Sequence, residues 1–126
     1  MFYKCINSVK ITILYNKKGF IIDNNKNNLN ILKLFLKLRI IKFLKIDDDN
    51  NKINAYINYI DNKPVFKNIT NLFKPGHKYF ISLKNLKKIN KNHNWILIMS
   101  TSKGIMNNFE AEEKKLGGLI LAKIWN

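Results

Sequence analysis

The sequence predicts an α+β protein of two small domains, an N-terminal α-β-α-β-β domain at 1–72 and a mainly β C-terminal domain with short helices at 73–126. Three observations carry this. Ile31, Leu34, Phe35 and Leu38 repeat at the spacing of one helix face. Two β-rich runs flank a cluster of turn formers, Asp47-Asp48-Asp49-Asn50-Asn51. Lys74-Pro75-Gly76 then breaks the chain, because proline fixes φ and glycine supplies the positive φ of a type II turn.

Taken in order, Tyr3 to Leu14 reads as a short helix, and a second helix is expected near 29–38 with Asn27 or Asn28 as its N-cap. Ile40 to Ile46 and Ile53 to Ile60 alternate imperfectly around the acidic turn and form a hairpin. Val65 to Thr70 is a third run of the first half, after the turn Asn62-Lys63-Pro64. Beyond residue 76 come a strand at Tyr79 to Ser82, a short helix at Leu83 to Ile89, an apolar strand at Trp95 to Met99 and a final strand at Leu119 to Trp125. A helix capped by Asn107 lies between the last two, with Glu110 completing a capping box, Met106 as a staple residue and Gly117-Gly118 as its end. On a half-buried strand, one of Tyr79 and Phe80 is expected in the core.

Composition bounds the function. The 126 residues carry 23 Lys plus Arg against 8 Asp plus Glu, a formal net charge of +15, which suits a polyanionic partner. All the basic residues are lysines except Arg39, so phosphate contacts are mostly point charges. The Asn, Ile and Lys bias points to an A/T-rich coding genome of the kind organelles carry. The single Cys5 allows no internal disulfide framework, and no Cys/His cluster suggests a structural zinc. No signal or transit peptide is expected from the opening residues. The apolar stretch 29–46 is interrupted by Lys33, Lys37, Arg39, Lys42 and Lys45, so no membrane span is expected there. Asp47, Asp49 and Asn51 imitate a calcium loop, but Lys52 and Asn58 stand where glycine and glutamate belong. His77 and His93 are isolated in sequence, and no cofactor, metal or small-molecule substrate is expected.

The candidate site is Ser100-Thr101-Ser102-Lys103-Gly104, which follows an apolar strand and precedes the capped helix. Hydroxyls, backbone amides and a lysine projecting from a strand end suit phosphate and ribose oxygens. The same residues also suit a solvated loop whose hydroxyls bond their own backbone, and the overall charge favours the nucleic-acid reading. Basic residues Lys74, Lys78, Lys84, Lys87, Lys88 and Lys91 crowd the start of the second half with Tyr79 and Phe80 between them, a mixture that serves RNA phosphates and splayed bases. Ser100 and Lys103 match the S-x-x-K of serine acyl-transfer enzymes, but the accompanying S-D-N and K-T-G elements are missing, and no P-loop is present.

Lys74-Pro75-Gly76, Trp95 to Met99 leading into Ser100 to Met106, Glu110-Ala111, Leu116-Gly117-Gly118 and Trp125 together resemble the S-eight family of small-subunit ribosomal proteins of bacteria and organelles. The first half resembles the family more loosely, through Ile53 to Tyr59 and Val65 to Phe73. The resemblance implies a two-domain, non-enzymatic protein that binds the central domain of small-subunit rRNA, supports assembly and touches neighbouring small-subunit proteins. It further implies RNA contacts from Ser100, Thr101, Ser102, Lys103 and Gly104, with Lys74, Gly76, His77, Lys78, Lys87 and Lys88 on the same surface. Two features depart from the family. Leu119 replaces a glutamate after the double glycine, and Lys4 and Lys10 stand in a first helix that normally carries arginines. The expected location is a mitochondrial ribosome, or that of a plastid-type organelle. Competing readings are an extra-ribosomal basic RNA-binding protein and a membrane-surface protein using the 29–45 stretch.

Overall fold

The computed structural model describes residues 2–66, 68–72 and 79–125. The chain divides into two compact units, Met1–Lys67 and Asn68–Asn126. The turn Lys74-Pro75-Gly76 lies outside the described residues.

In the first unit, helices α1 (Phe2–Leu14) and α2 (Lys26–Lys37) cover one face of a three-stranded antiparallel sheet. Strand β1 (Gly19–Asp23) and strand β2 (Ile41–Asp47) flank the central β3 (Lys52–Ile57). Burial follows the periodicities: Cys5, Ile6, Val9 and Ile13 on α1, Ile31, Leu32, Leu34 and Phe35 on α2, and alternate residues Ile53, Ala55 and Ile57 on β3. The apolar face of α2 is therefore spent inside the protein, which removes the lipid-facing stripe a membrane-surface helix needs. No described helix is long and apolar enough to cross a membrane.

The hairpin around the acidic cluster forms as expected. Asp47 accepts hydrogen bonds from the backbone and side chain of Asn50, which hold its carboxyl below the usual carboxylate range, and Asn51 takes φ 52°. Two expectations shift. Helix α2 starts three residues early because Asn25, rather than Asn27 or Asn28, caps it; Asn28 is buried and its amide reaches back to the Asp23 carbonyl at 3.0 Å. The run to Ile60 breaks after Ile57, and a separate two-residue pair, β4 (Tyr59–Ile60) with β5 (Lys63–Pro64), turns at Asp61-Asn62 with both residues at positive φ.

The second unit is a five-stranded antiparallel sheet built on β10 (Gly118–Trp125). One edge of β10 pairs with β8 (Ile96–Thr101), which in turn pairs with β9 (Gly104–Asn107). Its other edge pairs with β6 (Asn68–Asn71) and β7 (Tyr79–Ile81). The run read as a third strand of the first half thus pairs Asn68 to Asn71 with Trp125 to Ala122, because its hydrogen-bonding partner comes from the end of the chain. Helices α3 (Leu83–Asn92) and α4 (Asn108–Glu113) close the core formed by Ile81, Leu86, Leu97, Met99, Met106 and Ala111. Neither Tyr79 nor Phe80 joins this core: they are 51% and 71% exposed, and Ile81 is the inward residue of a strand only three residues long.

Asn107 caps α4 as expected, accepting from the Glu110 amide at 2.8 Å, and Met106 shares the core with Ala111. Gly117-Gly118 does not end this helix. Lys115 does, at φ 57°, with Leu116 N–H bonded to Ala111 O and Lys115 N–H to Glu112 O, the paired bonds of a Schellman stop. The two glycines serve strand packing instead: a Cβ on Gly117 would sit 2.6 Å from Ile81 O, and one on Gly118 2.4 Å from Ser100 O.

Candidate nucleic-acid interface

Ser100 and Thr101 lie within β8, Ser102 and Lys103 form the turn, and Gly104 opens β9, paired with Thr101. The segment is thus a two-residue hairpin turn rather than a five-residue loop. Gly104 adopts φ 110°, a conformation that side chains rarely reach, so glycine is required there. Thr101 fastens the turn: its hydroxyl donates to Gly104 O at 2.8 Å and accepts from the Lys103 amide at 3.2 Å. That hydroxyl's single proton is already committed, which leaves Ser102 and Lys103 as the freely presented polar groups, both exposed. No carboxylate pairs with Lys103 among the described residues.

Ser100 is half-buried and stands in register between Ile105 on β9 and Leu119 on β10, and Leu119 in turn faces Phe80 on β7. Directly paired residues share a sheet face, so Phe80, Leu119, Ser100 and Ile105 form one row across four strands. In this row Leu119 occupies the position where the resembled family has a glutamate. Rigidity of the turn comes from Thr101 and the close approach of Gly118 to Ser100, with no carboxylate needed for it.

The lysine crowd resolves into a pattern that its spacing already held. Lys84, Lys87, Lys88 and Lys91 sit at i, i+3, i+4 and i+7 on α3, all exposed, while Leu86 is fully buried and Ile89 packs on the core. Four ammonium groups therefore line the solvent face of one helix. Its N-terminus, capped by Ser82, adjoins Gly117, which places the start of the stripe near the Ser100 end of the sheet. Lys87 and Lys88 of the expected surface are thus joined by Lys84 and Lys91. Lys74, Gly76, His77 and Lys78 lie outside the described residues. Chemically, the arrangement offers hydroxyl and amide donors at a fixed turn beside a row of point charges, a combination that orients on sugar and phosphate oxygens.

The family model for ribosomal protein S8 matches residues 4–125. Small ribosomal subunit protein uS8m of Acanthamoeba castellanii is 36% identical over 117 residues, 90% of this chain and 91% of that protein. Small ribosomal subunit protein uS8 of Pelagibacter ubique is 31% identical over 119 residues, 93% of this chain and 90% of that protein. The uS8 protein of Borreliella afzelii is 38% identical over 103 residues, covering 80% and 76%. With a match that runs through both units and the turn alike, the chain belongs to the ribosomal protein S8 family, whose members are structural ribosomal proteins and not enzymes.

Proposed function

We propose that this chain is a structural constituent of the small subunit of an organellar ribosome, where it binds the central domain of small-subunit rRNA, supports its assembly and contacts neighbouring small-subunit proteins. Its second unit supplies the principal RNA surface. Ser102 and Lys103 meet sugar and phosphate at the tip, Ser100 and Gly104 line the approach, Thr101 sets the turn, and Lys87 and Lys88 neutralise flanking phosphates. Lys74 and Gly76, from the Lys-Pro-Gly turn of the family motif, and the adjoining His77 and Lys78 are assigned to the same surface by their place in the sequence. The observation that carries the reading is the Thr101-fastened turn beside the lysine face of α3, a rigid hydroxyl-bearing projection with cations around it. Recognition is of RNA shape, as expected for a partner whose grooves are read through riboses and phosphates.

A mitochondrial ribosome is the favoured location, supported by the A/T-rich codon bias behind Asn, Ile and Lys and by the relative named uS8m; a plastid-type organelle is the alternative. The test is binding to a central-domain rRNA fragment. Lys103→Ala weakens it by about 1 kcal/mol or more, with smaller losses for single lysines away from the turn. Equal losses at every lysine would reduce the interaction to unspecific charge. Sedimentation of the protein with the small subunit in organelle extracts separates a ribosomal component from a free RNA binder.

A further inference from the structure

At the opposite end of β8 from the turn, four side chains stack into a ladder. The His93 imidazole lies 3.8 Å from the Trp95 ring centroid with 2° between the planes. The Lys123 ammonium lies 3.6 Å from the same centroid and 4.8 Å from that of Trp125. Two groups that close above one ring must occupy opposite faces of it, so the order is His93, Trp95, Lys123, Trp125. Lys123 pairs in register with Leu97, which puts the ladder on the sheet face that carries α3 and α4.

This stack is braced from within. Fully buried Asn108 donates to the Trp95 carbonyl at 2.9 Å and to the Asn90 side chain, and accepts from the Leu97 amide at 3.0 Å, so the start of β8 is pinned to both helices. His93 caps α3 through its own amide, which bonds to the Ile89 carbonyl at 2.9 Å, yet its side chain is exposed, so the imidazole face turned away from Trp95 is open. The lysine face of α3 runs from the Gly117 end to this ladder over ten residues, about 15 Å at 1.5 Å per residue.

We infer that the ladder is a second RNA contact, at which an unpaired nucleobase stacks on the open face of His93 while Lys91 and its neighbours on α3 hold the intervening backbone. The inference rests on the rRNA-binding reading above and extends it from the hairpin turn to the far end of the sheet. Aromatic faces stack on any base, and a cation behind the ring adds to the platform. The track of ammonium groups leading from the turn favours a polyanion over a protein as the occupant.

Trp95 and Trp125 are the only tryptophans of the chain, so its indole emission reports on the ladder alone. The experiment titrates the full-length protein with a central-domain rRNA fragment and follows that emission together with affinity. The expected result is quenching at saturation, a loss of affinity of about fivefold or more in His93→Ala, and retention of binding in His93→Phe, which keeps a stacking face. The inference is overturned if emission stays constant at saturation and His93→Ala binds as the parent does. It is likewise overturned if emission responds to small-subunit proteins but not to RNA. A Lys103→Ala loss alongside an unaffected His93→Ala would sink the ladder alone, whereas no loss in either variant would sink the rRNA-binding reading with it.

Discussion

Removing the Thr101 hydroxyl separates a turn fastener from a simple RNA contact. Thr101→Val keeps the shape and β-branching of the residue and deletes two hydrogen bonds, the 2.8 Å bond to Gly104 O and the 3.2 Å bond from the Lys103 amide. Each is worth about 0.5–1.5 kcal/mol. Thr101 is only half-buried, so water replaces part of the loss, and the total should be about 1–2 kcal/mol. At about 2.1 cal/mol/K of unfolding entropy per residue, that lowers Tm by about 4–8 °C for a chain of this length. Affinity for the rRNA fragment should fall with it, because Lys103 no longer sits in one geometry, and Thr101→Ser should restore both quantities. Calorimetry and a binding titration on the same samples decide the matter. An unchanged Tm with weakened binding in Thr101→Val would show that the hydroxyl touches RNA and does not hold the turn.

Lys84, Lys87, Lys88, Lys91 and Lys103 would neutralise about five phosphates, which sets the slope of log affinity against log salt near about −3.5 to −4.5; the double variant Lys87→Ala with Lys88→Ala should reduce its magnitude by about 1.4–1.8, and an unaltered slope would remove the α3 face from the interface. Lys115→Gly should raise the urea midpoint by the equivalent of about 1 kcal/mol, since a left-handed φ strains any residue with a Cβ. Burial pushes the Cys5 thiol up from 9.0 to about 12, against a smaller opposing pull from the N-terminal ammonium. The unfolded chain therefore releases that proton near pH 9 while the folded one retains it, so this group's contribution is intact below pH 9 and stability is lost from there to about pH 12. Thiol labelling at pH 8 should be slow until urea is added, and rapid labelling of the native protein would contradict the burial.

Periodic segments were legible because their side chains decide the matter locally: Ile31, Leu34 and Phe35 mark one face of α2, and Asp47 to Asn51 can hardly be anything but a turn. What escaped depends on distant partners. Any residue among Asn24, Asn25, Asn27 and Asn28 could cap α2, and Asp23, by holding the Asn28 amide, settles which one does. Gly104 reads as the end of the candidate segment, Met106 as a staple residue and Asn107 as a helix cap, yet Gly104–Asn107 is β9, since Met106 finds a place in the core opposite Met99. Gly117-Gly118 follows a helix and so reads as its stop; the reason for both glycines is the carbonyls of Ile81 and Ser100 pressing against them. Of the site, the residue types and the surplus of lysines were visible. The internal use of the Thr101 hydroxyl was not, because it depends on the tightness of a two-residue turn. Nor was the pairing of Lys123 with Trp95, which lie far apart in the chain.

The position of β10 has a consequence for biogenesis. During translation β6, β7 and β8 are synthesised before the strand that joins them, whereas the three-stranded sheet of the first unit is complete by Ile57. Until residues 118–125 emerge, Ile69, Ile81, Leu97 and Met99 have no finished sheet to bury them. The nascent chain thus carries a window of sticky, half-paired strands. A nascent chain held in that window is an intermediate suited to chaperone capture, and the turn at Ser102-Lys103 has no complete sheet behind it until β10 arrives.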